Sequence, residues 1–593
     1  MTVICPKCGT PNRIPDSFET GKKYVCSKCK TPLPYPKQGA VEDDRGNIHA
    51  KAFTRKAKPP ADKNVKNRAG TFFNSFIRLP IFHPVFFSLA PIISFYASNI
   101  SQAAPSMLTV PIAITLGAVV LLLSLSWLMI RNIHKAAIII SVFAVLFFYY
   151  GFVLAALQGH STGTLMPGWW AILAGIWGVI FISCTYFVVR TRRPLHNLTI
   201  GLNAISVLIF LLPTITTIVY ELQVAPQDRD VVYRGNATVS ALGDTDSLPD
   251  IYYIILDKYA SESTLKEEYD FDNSDFLNYL TNKGFYVASQ SNSNYLTTDS
   301  SLASSLNMTY VNFLEDQLGA DFPDWDPIYR MTQNNKVDQL LQAKGYNLIH
   351  IGSWWGITMD DKHADMNFDY WHMPYFSTVF FEQTAAYPFL VKTGLFDDWN
   401  TRHFNCGNYA FDKLSEITSI KGPKFVFAHI LLPHQPYVFN SDGTYLPAAE
   451  ADKRTTEVNY VNQLLYTNSR VEAFINELIA SSTTPPIIIL QADEGPFPVG
   501  TGIDDPSFDW RIAPAKLLQE KMGILNAYYL PGKEENTLYP AITPVNSFRL
   551  IFNLYFKANM PLLPDRSYSY VGNRPYDFVD VTNKVSSGST EGS

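Results

Sequence analysis

Five apolar runs lie close together in the chain, at about 82–100, 109–130, 136–157, 167–189 and 198–220. Each approaches the ~20 residues that a helix needs to cross a ~30 Å hydrocarbon layer. None contains Asp, Glu, Lys or Arg, and Pro84 and Pro91 interrupt the first. The pattern predicts five transmembrane helices rather than buried helices of a soluble core. Basic connections (eight Lys and Arg between Lys51 and Arg78; Arg131 and Lys135; Arg190, Arg192 and Arg193) alternate with uncharged ones at 101–108 and 158–165. By the positive-inside rule the N-terminus is cytoplasmic. An odd number of crossings then puts everything after about 222 outside the cytoplasm. The expected location is a multi-pass protein of the cytoplasmic (plasma) membrane. The polar, cysteine-bearing start does not read as a cleavable signal peptide.

Beyond a polar linker at 223–247 the period changes. Short apolar, β-rich runs (DIYYIIL at 250–256, NLIHI at 347–351, KFVFAHILL at 424–432, PIIIL at 486–490) alternate with helical patterns near 262–282, 326–344, 406–419 and 456–481. Alternation of this kind predicts an α/β domain at 248–580, a mainly parallel sheet covered by helices on both faces. A disordered tail is expected at 581–593.

Composition supports a membrane protein. Of the 593 residues 47% are hydrophobic and 17% charged, below the usual ~25%. That argues against a disordered or nucleic-acid-coating chain, and no specific nucleic acid is expected as a partner. Charge is also split: residues 1–247 carry a balance of +12 and residues 248–593 one of -18, so the halves face different surroundings.

Six cysteines are too few for a disulfide scaffold. Cys5, Cys8, Cys26 and Cys29 form two CxxC pairs separated by 17 residues. This spacing suits a structural zinc site, two thiolates per turn, and the region 1–36 resembles a zinc ribbon. Four thiolates fill the coordination sphere, so the expected role is to fold a small module that contacts a cytoplasmic protein partner. The basic linker at 37–80 either lies against anionic lipid or serves only to fix topology.

In parallel sheets chemistry gathers at the carboxyl ends of strands. Those ends carry Asp257, then Pro433-His434, then Asp493-Glu494. Their convergence would make a metal site with a substrate-facing imidazole. The alternative is that the acids cap helices.

Several motifs together carry a resemblance: LPDIYYIILDKYA (248–260), SNSNYLTTDSSLASSLN (291–307), FAHILLPHQPYVF (427–439), LQADEGPFP (490–498), ILNAYYLPG (524–532) and PVNSFRLIFNLYF (544–556). Over about 80–580 the chain resembles sulfatase-like hydrolases and transferases of the alkaline phosphatase superfamily, and its layout is similar to that of lipoteichoic acid synthase-like enzymes. The resemblance implies that Asp257 is a metal ligand. It implies a nucleophile at a helix N-terminus, for which Thr298 matches best and Thr297 is the alternative; Thr298 as a simple N-cap is the competing reading. It implies that His434 contacts substrate and either binds a phosphate oxygen or protonates a leaving group. His429, inside its apolar strand, is either a ligand or substrate contact or a core residue. Trp354, with Trp355, either stacks on a sugar or glycerol moiety or packs under its loop.

Two positions depart from the family pattern. Asp257-Lys258 stands where Asp-Gly is common, and Asp493-Glu494 where Asp-His is common. With Asp257, Thr298, Asp493 and Glu494 as ligands the site is all oxygen, which favours Mn or Mg. Lys258 either offsets the added negative charge or replaces the ion. No formylglycine motif surrounds Cys184 or Cys406, so phosphoester chemistry is expected rather than sulfate chemistry. The expected function is a membrane-anchored, metal-dependent phosphoester or phosphodiester hydrolase or phospho-group transferase. Its substrate would be a lipid-linked or surface glycan or phosphodiester, and the lipid bilayer its constant partner. The alternative is a catalytically degenerate domain that binds or scaffolds.

Overall fold

A computed structural model of the protein describes residues 2–5, 10–13, 25–31, 41–42, 48–49, 81–158, 168–224, 231, 242–243, 248–370, 373–499, 508–533 and 537–586. The chain divides into two compact units, Met1–Pro80 and Ile81–Ser593.

In the first unit, strands β1 (Thr2–Ile4), β2 (Pro11–Arg13), β3 (Val41–Glu42) and β4 (Ile48–His49) make a sheet of order β2-β1-β4-β3. The chain reverses in the same way after two cysteines. Cys5 N–H donates to Thr10 O at 3.0 Å and Cys26 N–H to Thr31 O at 2.8 Å. The sulfurs of Cys5, Cys26 and Cys29 lie within 4.8 Å of one another. Cys8, the fourth expected ligand, and nearly all of the expected linker at 37–80 fall outside the described residues.

The second unit begins with helices α1 (His83–Ser98), α2 (Thr109–Ile130), α3 (Ile133–Phe148), α4 (Tyr150–Gln158), α5 (Trp169–Arg190) and α6 (His196–Gln223). Among the described residues three have the length and composition of membrane spans: α5, α6, and α2 with the turn before it. The α3–α4 pair, bent by 41°, makes a fourth. The five full-length spans expected are therefore not what the helix lengths give. The first run yields only 16 residues, about 24 Å at 1.5 Å per residue. Its ends are tied to protein instead: His83 N–H donates to Asn203 Oδ1 at 3.1 Å, and the Tyr96 hydroxyl to Glu221 at 3.0 Å.

The bundle has two unlike ends. Arg131, Lys135, Arg190, Arg192 and Arg193 share one, where α2 and α5 stop and α3 and α6 start. There Lys135 Nζ donates to Val189 O at 2.8 Å and Thr191 O at 2.9 Å. The α/β domain sits on the opposite end. Trp325 N–H donates to Ser101 O, Gly151 N–H to Gln383 O and Ala385 N–H to Phe147 O, at 2.8–3.0 Å.

That domain is built on seven strands: β5 (Ile251–Leu256), β6 (Tyr286–Val287), β7 (Asn347–Ile351), β8 (Met366–Phe368), β9 (Lys424–Ile430), β10 (Ile487–Gln491) and β11 (Asn526–Tyr529). The order is β6-β11-β10-β5-β9-β7-β8. From β10 to β8 every pairing is parallel; β11 and β6 add an antiparallel edge. All six residues of β5 are buried, which is why it reads as a continuous apolar run. Its side chains alternate between faces. Tyr252, Ile254 and Leu256 join the core under the long helices Trp399–Ile417 and Thr456–Ser481, and Ile251, Tyr253 and Ile255 join the core that holds Leu302 and Leu306. Each such burial of an Ile or Leu contributes roughly 1.5–3 kcal/mol. Two expected helices are broken: 262–282 becomes Glu262–Glu268 and Ser274–Asn282, with Asp270 left-handed (φ 47°) between them, and 326–344 breaks before Asn335, which caps the second half. The chain past 580 does not start as a tail, because Thr582–Val585 is helical with Val585 buried.

Candidate active and metal site

Strand register brings the acidic strand ends together. Asp257 follows β5, and Asp493 stands two residues beyond the end of β10, which pairs in parallel with β5 through Gln491 and Ile255. On the other flank His429 in β9 pairs with the same Ile255. A carboxylate oxygen from each aspartate and a ring nitrogen of His429 lie within 4.8 Å of one another, with His429 Nε2 3.8 Å from Asp257 Oδ2. Ligand atoms ~2.1 Å from a tetrahedral ion stand about 3.4 Å apart, so a closure of a few tenths of an ångström separates this pair from ligation. Asp257 Oδ1, both oxygens of Asp493 and His429 Nε2 are buried without a hydrogen bond. Polar atoms are seldom left so, and a cation answers all four. Burial, then Asp493 and Glu494, pushes the Asp257 carboxyl well up, and burial raises Asp493. Burial, with His350 beside it, pushes His429 down to about 3, which keeps the imidazole in its neutral, ligating form. Its Nδ1 lies 2.6 Å from Thr358 Oγ1, an orienting contact typical of ligating histidines.

Thr298 opens helix α7 (Thr298–Asn307). The N-cap position belongs to Thr297, with extended backbone (φ -131°) and no side-chain cap bond, so Thr298 is not the cap. The Thr298 hydroxyl lies beside Asp493 and holds its carboxyl down against the burial. Thr297 is engaged elsewhere: its hydroxyl meets the Tyr570 hydroxyl in a short hydrogen bond and reaches Asp299 at 3.4 Å. Asp299, next to Thr298 in the chain, is buried with Oδ1 unpartnered, and burial pushes it up to about 8.

Glu494 differs from expectation. Its carboxylate pairs with Lys521, from helix α8 (Ala515–Met522), and is not part of the three-residue cluster. The donors that do converge are two carboxylates, a hydroxyl and an imidazole. That mixed set fits zinc as well as manganese, so the all-oxygen argument for Mn or Mg lapses. Gly495 makes the pairing possible. A Cβ there would stand 2.6 Å from Glu520 O, and the Gly495 N–H donates to Lys521 O at 2.9 Å. Lys258 is buried with φ 59°, a conformation that L-residues adopt at a cost. Its ammonium lies 3.8 Å from the Phe497 ring centroid, and that of Lys521 4.4 Å. Two buried cations thus stand beside the acidic cluster.

His434 Nδ1 makes a short hydrogen bond to Gln435 O. A carbonyl only accepts, so Nδ1 carries the proton and Nε2 is left an acceptor. Burial, then Lys258, holds this ring well below its ordinary pKa. A neutral acceptor is not the proton donor expected for a leaving group. Trp354 is held by protein rather than open for stacking. Its indole N–H donates to His403 Nδ1 at 2.6 Å, and its ring packs on Trp399 at 4.4 Å and Tyr375 at 6.3 Å. Trp355 lies near His429, at 6.3 Å. Sequence reasoning missed Lys521, Thr358, His403 and Asp299. Asp299 adjoins the suspected nucleophile and was within reach; the others carry no local signal.

No protein-family model matches the chain, and no curated protein matches it. Solved structures similar to it include the zinc-bound C-terminal periplasmic domain of EptC from Escherichia coli, at 11% identity and TM-score 0.39, over 58% of this chain and 99% of that one. Another is the integral membrane protein lipooligosaccharide phosphoethanolamine transferase A (EptA) from Neisseria meningitidis, at 13% identity and TM-score 0.34, over 80% of this chain and 95% of that one. A third is BT1596, a 2-O GAG sulfatase, at 13% identity and TM-score 0.34, over 53% of this chain and 72% of that one. Likeness this distant assigns no chemistry.

Proposed function

We propose that the chain is a membrane-anchored, metal-dependent phospho-group transferase or phosphodiester hydrolase, with its α/β domain outside the cytoplasm and its N-terminus within. The observation that carries this reading is the Thr298 hydroxyl beside the buried carboxylate of Asp493, with Asp257 and His429 completing the cluster. Asp257, Asp493, His429 and Thr298 would hold a divalent ion. Bound there, such an ion supplies positive charge that lowers the hydroxyl pKa and neutralises phosphoryl oxygens.

The chain's own groups do the rest. Thr298 Oγ attacks phosphorus and its proton passes to the leaving oxygen; the P–O bond to that oxygen breaks, and a phospho-threonine and the free alcohol remain. Free N–H groups in the first turn of α7 face the phosphoryl oxygens, and Lys258 and Lys521 add fixed positive charge. In the second half His434 Nε2 accepts the proton of water or an acceptor hydroxyl, which attacks phosphorus; the P–O bond to Thr298 breaks, and the same proton is returned to Thr298 Oγ. A lipid-linked substrate suits the location. Tyr375, stacked on Trp354, starts the helix Tyr375–Glu382, whose Phe376 and Phe380 pack on Phe95, Tyr96 and Phe148 of the bundle. Zinc on the cysteine cluster of the first unit belongs to the same proposal.

A chromogenic phosphodiester assayed with the full chain tests this reading. Turnover should need a divalent ion, vanish in Thr298→Ala, and leave a phosphate on Thr298 detectable by mass spectrometry after acid quench. Undiminished turnover in Thr298→Ala would refute the mechanism.

A further inference from the structure

The basic end of the bundle carries a groove that the proposed reaction does not use. Its volume is about 900 Å³, and Phe181, Ile182, Thr185, Tyr186, Val189 and Arg190 of α5 line it together with Lys135, Thr191 and Arg192. The α5 residues recur at the spacing of one helix face. The floor is apolar and open: Ile182 is 69% exposed and Tyr186 62%. From Phe181 to Arg190 it runs about 14 Å along the axis, half of a ~30 Å hydrocarbon layer, which is the depth of one leaflet. At the mouth stand three cations. Lys135 uses two of its three N–H donors on Val189 O and Thr191 O. Thr185 Oγ1 is buried in the wall with no hydrogen-bond partner. No Asp or Glu occurs between 81 and 220 to neutralise the cluster. The carbonyl end of α5 contributes about half a negative charge, which three cations outweigh.

We propose that this groove binds an anionic phospholipid of the surrounding bilayer, with its phosphate among Lys135, Arg190 and Arg192 and an acyl chain along Phe181, Ile182 and Val189. Charge complementarity selects the headgroup, and the apolar floor selects a lipid over free phosphate. The site is independent of the outer chemistry.

The test reconstitutes the full chain into vesicles of equal phosphatidylglycerol and phosphatidylcholine, extracts it gently, and counts retained lipid by native mass spectrometry. Wild type should enrich phosphatidylglycerol. Arg190→Gln with Arg192→Gln should cut the enrichment at least about tenfold, as expected when two charge-assisted hydrogen bonds to the phosphate are lost. Thr185→Trp, which fills the groove without changing charge, should cut it as well. Arg131→Gln with Arg193→Gln removes equal charge outside the groove and should leave enrichment within about twofold. Loss in that control equal to loss in the groove pair would reassign the effect to general surface charge and overturn the proposal. Full enrichment in Thr185→Trp, or in the groove pair, would overturn it too.

Discussion

Glu494 decides between two readings of the metal site, and a mutant cycle with Lys521 separates them. Both side chains are buried, at 5% and 1% exposure, and they form an ion pair. Lys521→Met leaves the Glu494 carboxylate beside Asp493 and Asp257 without its partner. Breaking a buried pair from one side costs about 3–5 kcal/mol, because the other charge stays buried. Domains of 150–250 residues shift Tm by ~2–4 °C per kcal/mol. For this larger domain roughly 2 °C per kcal/mol gives a fall of about 6–10 °C, read by thermal unfolding of the full chain in detergent. Removing both charges (Lys521→Met with Glu494→Gln) should restore more than half of the loss, since neither member is then stranded. The same variants answer the ligand question by metal titration. Asp493→Asn should weaken divalent-ion binding at least 100-fold, whereas Glu494→Gln, acting only through the field, should change it by less than about fivefold. Equal losses in Glu494→Gln and Asp493→Asn would make Glu494 a ligand and reinstate the all-oxygen site.

Other expectations follow from single contacts. Gly495→Ala should lower Tm, because a Cβ would press on Glu520 O at 2.6 Å and separate Glu494 from Lys521; an unchanged Tm would show that the close approach is unimportant. Thr358→Val removes the contact to His429 Nδ1 and should cost about 10–100-fold in metal affinity, measured by competition with a chelating dye. Burial raises the Glu520 carboxyl to about 7 from an ordinary 4.5, against a stabilising bond from Val499 N–H. The folded state therefore holds that proton more tightly, and stability should fall as pH rises from about 4.5 to 7, by at most ~3 kcal/mol. Glu520→Gln keeps the acceptor oxygen and should flatten that part of the Tm–pH profile; a profile identical to wild type would refute the assignment.

What could be read from the sequence, and what could not, divides along a physical line. The continuous apolar runs of β5, β9 and β10 announce buried parallel strands, and an acid at a strand end is a local fact, so Asp257 and Asp493 were legible. The place of His429 beside them was not. It depends on β9 lying beside β5 with His429 level with Ile255, a register between strands more than 170 residues apart. The ion pair of Glu494 was hidden for the same reason: its partner stands 27 residues later on a short helix, and no spacing in the chain reports that meeting. Trp354 reads as an aromatic near a site, and only its bond to His403 shows it to be held by protein. The first apolar run has the right composition for a span, yet its helix starts at His83 and ends at Ser98, too short to cross alone.

Lys258 and Glu494, the two positions at which the resemblance fails, are connected. A lysine after Asp257 and a glutamate after Asp493 look like two separate losses along the chain. In space Lys258 and Lys521 both face Phe497, and Lys521 binds Glu494. Asp257, Asp299, Asp493 and Glu494 are all buried there. Four buried carboxylates without counter-charge would be prohibitive. The two lysines answer for two of them, and Glu494 is the one visibly spent in doing so. With Asp257, Asp299 and Asp493 all ionised a deficit of two positive charges remains among them, next to Thr298; without an ion, burial keeps the proton on Asp299 up to about pH 8. One divalent ion meets that deficit, whereas a second would have to displace an ammonium already held against an aromatic ring. On the proposed function, these residues make a site that carries part of its positive charge in its own side chains and would leave the oxygens nearest the hydroxyl for the ion.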